Sequence, residues 1–379
     1  MMNLVEYKKI VSKISIPADH KIKQKTYLQS GALPVIDQGQ ELVGGYTDDY
    51  QKQIVCDLPV IVFGDHTKNV KYINFPFCAG ADGIKILKAK DDVVPKYLYY
   101  GTIFLTYCIE DKGYARHYQH IEKYDLLVPP LPEQERIVAK IEELFSQLDA
   151  AVAELKSVKE KLAIYRQAVM QNVIVQYTQD VPNVFIKDVC NEIKVGIVIK
   201  PSQYYTTPES GIKAFRSANV REFYIDDKDW VFLSKDGHLK NKRSEVHIGD
   251  ILIVRSGYPG TACVVTEKFD GSNAIDVLIA VPNREKITPE YLCAYTNSPL
   301  GKKLVADKKR GVAQAHLNVG GYSKISIPIP EILVQNIIVE EIHQKVSICN
   351  NIEQTVDTAL QRATALRQSI LKQAFEGNL

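Results

Sequence analysis

Residues 127–174 read LVPPLPEQERIVAKIEELFSQLDAAVAELKSVKEKLAIYRQAVMQNVI. A proline-rich entry, Pro129, Pro130 and Pro132, gives way to more than forty residues without Pro or Gly. Glu133 and Glu135 follow at once, where carboxylates suit the positive end of a helix dipole. Ile137, Ile141, Leu144, Leu148, Ala151, Leu155, Val158, Leu162, Tyr165 and Val169 then step by four and three in alternation. That period of 3.5 is the mark of a coiled-coil seam. At 1.5 Å per residue the helix would be on the order of 60 Å long. It is too long and too narrow-faced to fold alone, so it needs a partner helix.

The same chain supplies one. A shift of 201 residues brings up Ile338, Ile342, Lys345, Cys349, Ile352, Val356, Ala359, Ala363, Leu366 and Ile370, with Lys345 the one break. RQAVMQ at 166–171 recurs as RQSILK at 367–372, and PLPE at 130–133 as PIPE at 328–331. The segments between the helices also repeat. GDILIVRSG at 249–257 stands where CDLPVIVFGD stood at 56–65. NAIDVLIAV follows in the place of GADGIKIL, and PEYLCAYTNSPLGKKL in the place of PKYLYYGTIFLTYCI. GVAQAHLNVGGYSKISIPIPE at 311–331 matches GYARHYQHIEKYDLLVPPLPE at 113–133, offset by 198. A three-residue insertion after Pro330 brings the helices to 201. Short apolar runs bounded by turn residues predict strands at 33–36, 59–63, 72–75 and 83–87, and a helix over 95–109. The order is globule, helix, globule, helix, and two units are too few for a solenoid. The two helices can close such a chain only by running antiparallel. The expected fold is α+β: two similar globular domains of mixed α/β structure, joined by two long antiparallel coiled-coil helices in a pseudo-two-fold internal repeat.

Composition sets bounds. A chain of 379 residues with 45% hydrophobic and 24% charged residues is ordinary for a globular protein. The net charge of +2 excludes a histone-like polycation. It is unevenly spread: +1 over 1–131, −1 over 132–179, +4 over 180–330 and −2 over 331–379. Mildly basic globules permit nucleic-acid binding without demanding it. The seven cysteines form no Cys-x-x-Cys pair, as expected of buried free thiols in a reducing cytosol. No apolar leader or spanning run is present in the sequence, so a cytoplasmic location and no membrane partner are expected.

These residues resemble a known family. VPPLPEQERIVAKIEELF, its weaker second copy, GDILIVRSG and the Gly-x-Ala-Gln-x-His-Leu-Asn run at 311–318 are similar to the specificity subunit of a type I restriction–modification system. The second helix entry departs by its insertion and by loss of the Gln-Glu-Arg triplet. The resemblance covers essentially the whole chain. It implies target recognition domains at 1–127 and 179–327, and coiled-coil spacer helices at 128–178 and 328–379. It implies double-stranded DNA as partner, read as a bipartite asymmetric target. It also implies two docked copies of a methyltransferase subunit, which would carry S-adenosylmethionine, and it leaves room for a restriction/translocase subunit. No cofactor is expected on this chain. A rod holding two readers suits duplex DNA, whose major groove recurs every ~34 Å. The competing class is an assembly scaffold with protein-binding heads, but a scaffold would repeat one surface rather than vary its polar loops.

Base readers are hydrogen-bonding side chains on loops: Arg or Lys for guanine, Asn or Gln for adenine. In the first globule the candidates are Asp65, His66, Lys68 and Asn69, then Tyr114, Arg116, His117 and Gln119. Arg116 is the lone arginine of residues 1–131. In the second they are Arg216, Asn219 and Arg221, then Arg255, Ser256 and Tyr258. Lys308, Lys309, Arg310, Gln314 and His316 complete the set, the lysines suiting phosphates. His117 and His120 have metal-like spacing, but no Cys or carboxylate pattern completes a site, so no metal is expected. Val128-Pro129-Pro130-Leu131 lacks the Asn/Asp and the aromatic that hold a flipped adenine, and no phosphate loop is present. A non-catalytic subunit is therefore expected. Deleting one heptad from both helices should change the permitted spacing between half-sites but not their sequences. Mapping methylated split motifs in cells checks this, and a spacing indifferent to helix length would sink the idea of a ruler.

Overall fold

The computed structural model describes residues 3–80, 83–110, 116–308 and 316–379. The stretch that opened the reading forms one continuous helix, Leu131–Thr178, and its repeat forms another, Ile332–Phe375. Pro132 falls in the first turn, where a missing N–H costs nothing. The second helix stops just before Gly377, whose φ of +80° suits glycine.

Contacts divide the chain into two compact units, residues 1–156 with 357–379, and residues 157–356. Each unit therefore holds one half of each long helix, rather than leaving the helices apart from the heads. In the first unit Ile137, Val138, Ile141 and Phe145 share a core with Ile370, Leu371, Ala374 and Phe375. Phe375 enters the head, 4.9 Å from the ring of Tyr97 and stacked at 5.5 Å on Phe104. Arg136 donates to the carbonyl of Leu379 (2.7 Å), and Arg367 pairs with Asp149 while lying 4.2 Å over the Phe145 ring. Rising numbers on one helix meet falling numbers on the other, so the pair is antiparallel. The second unit repeats this. Val169, Met170, Val173 and Ile174 pack with Ile338, Val339 and Ile342. Arg166 reaches Asn350 (2.6 Å) and Glu353 (2.9 Å), and Tyr177 reaches Glu341 (3.1 Å).

The strict 3.5-residue reading fails along part of the seam. Ile137, Ile141, Leu162, Val169, Ile338, Ile342, Val356 and Ile370 are buried, and Leu144, Leu148 and Leu155 are half-buried. Val158, Tyr165, Ile352 and Leu366 are exposed. A straight helix has 3.6 residues per turn, so a 3.5 pattern drifts ~20° around it with each heptad. Lys345, the break in the pattern, turns aside to Glu341 at 2.7 Å.

The two heads share one strand order. In the first, strands run in the order Val11–Ile14, Ile84–Ala89, Val60–Gly64, Val70–Ile73. In the second the order is Cys190–Val195, Val277–Pro282, Ile251–Val254, Ala262–Val264. Each head adds a small sheet with one parallel pair, Val35–Ile36 beside Cys78–Ala79 and Ala214–Phe215 beside Asn273–Ala274. The helix Pro95–Cys108 has two successors, Pro289–Asn297 and Pro299–Asp307. The break is local. Pro299 cannot continue a helix, and Ser298 caps the new one by accepting from the N–H of Gly301 (3.1 Å).

Each long helix is bolted to its head by a buried glutamine. Gln134 Oε1 accepts from the N–H of Val94 (2.8 Å), and its Nε2 donates to the carbonyls of Asp92 (3.0 Å) and Pro129 (2.8 Å). Gln335 does the same with Thr288 N–H (2.8 Å), Lys286 O (3.0 Å) and Pro330 O (2.8 Å). The first Gln of the triplet is thus kept in the second copy. The Pro-x-Pro-Glu match at offset 198 misaligns the entries, because Pro129 corresponds to Pro330. Gln134→Ala or Gln335→Ala leaves one N–H and two carbonyls unmatched and should cost roughly 2–4 kcal/mol. Urea unfolding checks this against Glu135→Ala, and a loss below ~0.5 kcal/mol would leave the clamp without a role.

Candidate functional site

The second unit carries a cleft of about 870 Å³ lined among others by Ser217, Arg221, Glu222, Ser256, Tyr258 and Lys302. Two of the loops singled out from sequence, 216–221 and 255–258, therefore meet at one place. The first follows the strand Ile212–Phe215. The second is the turn between Ile251–Val254 and Ala262–Val264, where Gly257 and Gly260 have φ of +78° and +90°. A Cβ on Gly257 would meet nothing, so that glycine is needed for its backbone conformation alone. Tyr258 stands at the tip with 84% of its surface exposed.

Most of the expected readers beneath Tyr258 hold the loops together. Asn219 is fully buried: its amide donates to the carbonyls of Asp226 (3.2 Å) and Lys228 (2.8 Å), and its oxygen accepts from the N–H of Arg216 (3.0 Å). Arg216 donates to the carbonyl of Asp229. Arg221 donates to the carbonyls of Ser217 (3.3 Å) and Val220 (3.1 Å) and pairs with Asp226 (3.4 Å). Arg255 Nε donates to the carbonyl of Leu317 (3.0 Å), and its guanidinium pairs with Asp276 (2.5 Å). Ser256 Oγ and His316 Nδ1 lie 2.5 Å apart. Asn219 and Arg255 thus spend their hydrogen bonds on the loops themselves. Lys302, at the start of the second short helix, pairs with Glu222 across the cleft. Lys308 is exposed, while Lys309, Arg310 and Gln314 lie outside the described residues.

The first unit has the same frame with different groups. Asp65 stands where Arg255 stands. The carbonyl of Asp65 accepts from the N–H of His117 (2.8 Å), and that of Arg255 from the N–H of Leu317 (3.1 Å). The Asp65 carboxylate accepts from the N–H of Tyr118 (2.9 Å), capping the turn Tyr118–Ile121. Asp65 and His117, both expected as base contacts, are buried. Asn69 donates to the carbonyl of Gln38 (2.9 Å), and Lys68 adopts a left-handed φ of +60°. His66 is half-buried, Arg116 and Gln119 are exposed, and Tyr114 lies outside the described residues.

Charge elsewhere is matched locally. Lys213 and then Lys268 and Trp230 hydrogen-bond the Asp227 carboxylate and hold it well below the usual range. Burial pushes the thiols of Cys190 and Cys263 up to about 12, so both stay protonated at neutral pH. All seven cysteines are free. Among the described residues no group of three His, Cys, Asp or Glu side chains is arranged to hold a metal, and no helix is long and apolar enough to cross a membrane. Sequence reasoning missed Glu222, Asp276 and Gln38. Each is placed by pairing across distant loops, which residue type alone does not show.

The family described as type I restriction modification DNA specificity domain matches residues 8–160 and 179–362. The type I restriction enzyme EcoBI specificity subunit of Escherichia coli is 28% identical over 275 residues, 67% of this chain and 58% of that protein. The EcoKI specificity subunit of Escherichia coli strain K12 is 28% identical, again over 58% of its own length, so this chain spans just over half of these two relatives. The EcoR124I/EcoR124II specificity subunit is 24% identical over 94% of this chain and 89% of that one. Two solved structures share the fold at 16% identity over the whole chain. One, concerned with complex assembly and conformational transition of the type I R-M system, has a TM-score of 0.73 over 98% of that chain. The other, the HsdS subunit from Thermoanaerobacter tengcongensis, has a TM-score of 0.55 over 97% of that chain.

The division between scaffold and surface can be measured. Arg255→Ala removes hydrogen bonds to a buried carbonyl and should cost roughly 1–3 kcal/mol. Tyr258→Ala should stay within about 0.5 kcal/mol. Equal shifts of the unfolding midpoint would overturn the assignment.

Proposed function

The chain belongs to the type I restriction–modification DNA specificity family, and from that membership we propose that it is the sequence-reading subunit of such a complex. It binds double-stranded DNA at a bipartite, asymmetric target, one half-site per unit. The observation that carries this is the pair of heads with one strand order and unlike loops after the central strand, residues 65–69 in one and 255–261 in the other. A repeated frame with unlike loops suits two unlike half-sites. A scaffold binding one kind of partner twice would keep its surface.

The long helices dock two copies of a methyltransferase subunit, and that partner binds S-adenosylmethionine and performs the base flipping and adenine methylation. The same assembly leaves room for a restriction/translocase subunit. The chain itself is non-catalytic and works in the cytoplasm. Tyr258, Lys308, Arg116 and Gln119 are exposed and reach DNA directly. The buried or paired residues among the candidates hold the loops that present them.

The test is a duplex-binding titration with the full chain across salt concentrations. Binding of a duplex carrying the methylated split motif found in the host genome should weaken steeply with salt, with a log–log slope of about −0.9 for each phosphate contacted. Incubation with duplex and labelled methyl donor, without partner subunits, should give no transfer. Salt-insensitive or sequence-blind binding favours the scaffold, and methyl transfer by the chain alone ends the proposal.

A further inference from the structure

We propose that Glu222 is a base-reading carboxylate, accepting a hydrogen bond from the exocyclic amino group of cytosine or adenine in the half-site read by the second unit. The proposal rests on the DNA-reading assignment above. Glu222 is the carboxylate among the residues that line the cleft beside Tyr258. A carboxylate facing a duplex is repelled by every phosphate, so it is costly there unless it meets a donor. The donors on major-groove base edges are cytosine N4 and adenine N6.

The cleft is not built as a phosphate site. Its cations, Arg221 and Lys302, are paired with Asp226 and with Glu222 itself. What it presents is a carboxylate held in place. Val220 and Ile225 bridge the turn, and the N–H of Arg221 donates to the carbonyl of Tyr224 (3.1 Å). Phe223 next to Glu222 takes a left-handed φ of +70°, a strained conformation for a bulky residue. The turn tolerates it because the N–H of Phe223 donates to the carbonyl of Ala262 (3.0 Å) and its ring packs against the core, edge-on to His343 at 6.0 Å. Strain retained beside a cleft marks a position fixed by its surroundings. Lys302 completes the arrangement as a positioning residue. It reaches Glu222 because the helix breaks at Ser298-Pro299 and restarts toward the cleft. About a third of each side chain is exposed, 33% for Lys302 and 32% for Glu222, so the carboxylate is accessible to a base edge.

The experiment selects bound duplexes from a library randomised in the second unit's half-site, using the full chain and its Glu222→Ala variant, with melting curves to confirm that both fold. Wild type should require cytosine or adenine at one position. Glu222→Ala should lose about 10- to 100-fold of the discrimination at that position alone. A duplex whose base there lacks the amino group should bind wild type correspondingly more weakly and the variant no worse than before. Which base wild type selects identifies the source of the amino group. A wild-type base pattern left unchanged by Glu222→Ala overturns this proposal alone and reduces the residue to a surface ion pair. A wild-type chain with no base preference overturns the DNA-reading assignment as well.

Discussion

Two buried side-chain amides decide where each long helix starts. Gln134 and Gln335 each spend both functional groups on the backbone of their own head, accepting one N–H and donating to two carbonyls. A buried amide is tolerated only when its hydrogen bonds are made, so the clamp permits one helix origin and one rotation. Every apolar residue downstream inherits its direction from that origin. A slip of one residue would turn Ile137 and Ile141, or Ile338 and Ile342, by 100° away from the head they enter. The helix halves are accordingly continuous with the head cores, and Phe375 packs among Tyr97 and Phe104 as a core residue of the first head.

The same economy of frame runs through the heads. Tyr97 donates to the carbonyl of Leu127 (2.6 Å) and Tyr291 to that of Pro328 (2.9 Å), repeating one contact across two sequences that otherwise share little. Tyr7 with Thr102 (2.7 Å) and Tyr322 with Thr296 (2.9 Å) close each head by a hydroxyl pair, though the tyrosines come from opposite ends of their repeats. What differs lies on the loops after the central strands. There an aspartate in one head and an arginine in the other occupy one backbone position. A buried frame constrains packing and leaves the charge of a loop free to vary between the two heads.

Periodicity and repetition made the architecture legible. The long helices, the strands near 33–36, 60–64, 70–73 and 84–89 and the helix from Pro95 all declare themselves locally, because a strand or helix face is written in consecutive residues. The site was legible only as a pair of loops. Arg255 and Asn219 looked like readers because residue type is visible in a sequence and burial is not. Their partners, Leu317 and Asp276 for Arg255, and Asp226 and Lys228 for Asn219, are set by the closing of the fold. The burial of His117 was invisible for the same reason. Its position beneath Asp65 depends on a contact 52 residues away. Glu222 went unnoticed because one acid among basic residues carries no pattern.

The seam shows a further limit of reading by apolar spacing. In the second unit Val158, Tyr165 and Ile352 are exposed while Leu162, Cys349 and Val356 stay buried, so the apolar seam there is interrupted. Arg166 bridges the two helices there. Its guanidinium bonds Asn350 and Glu353, while its Nε is buried without a partner. A polar group in a seam costs stability and gains register where a slip of one heptad does not reproduce both of its partners. Sliding the second helix by seven residues would set Arg166 against His343 and Val346 one way, or Asp357 and Leu360 the other, in place of Asn350 and Glu353, so neither slip restores both partners. Apolar burial thus supplies the stability of the pairing, and a charged contact the sequence reading had passed over supplies its alignment.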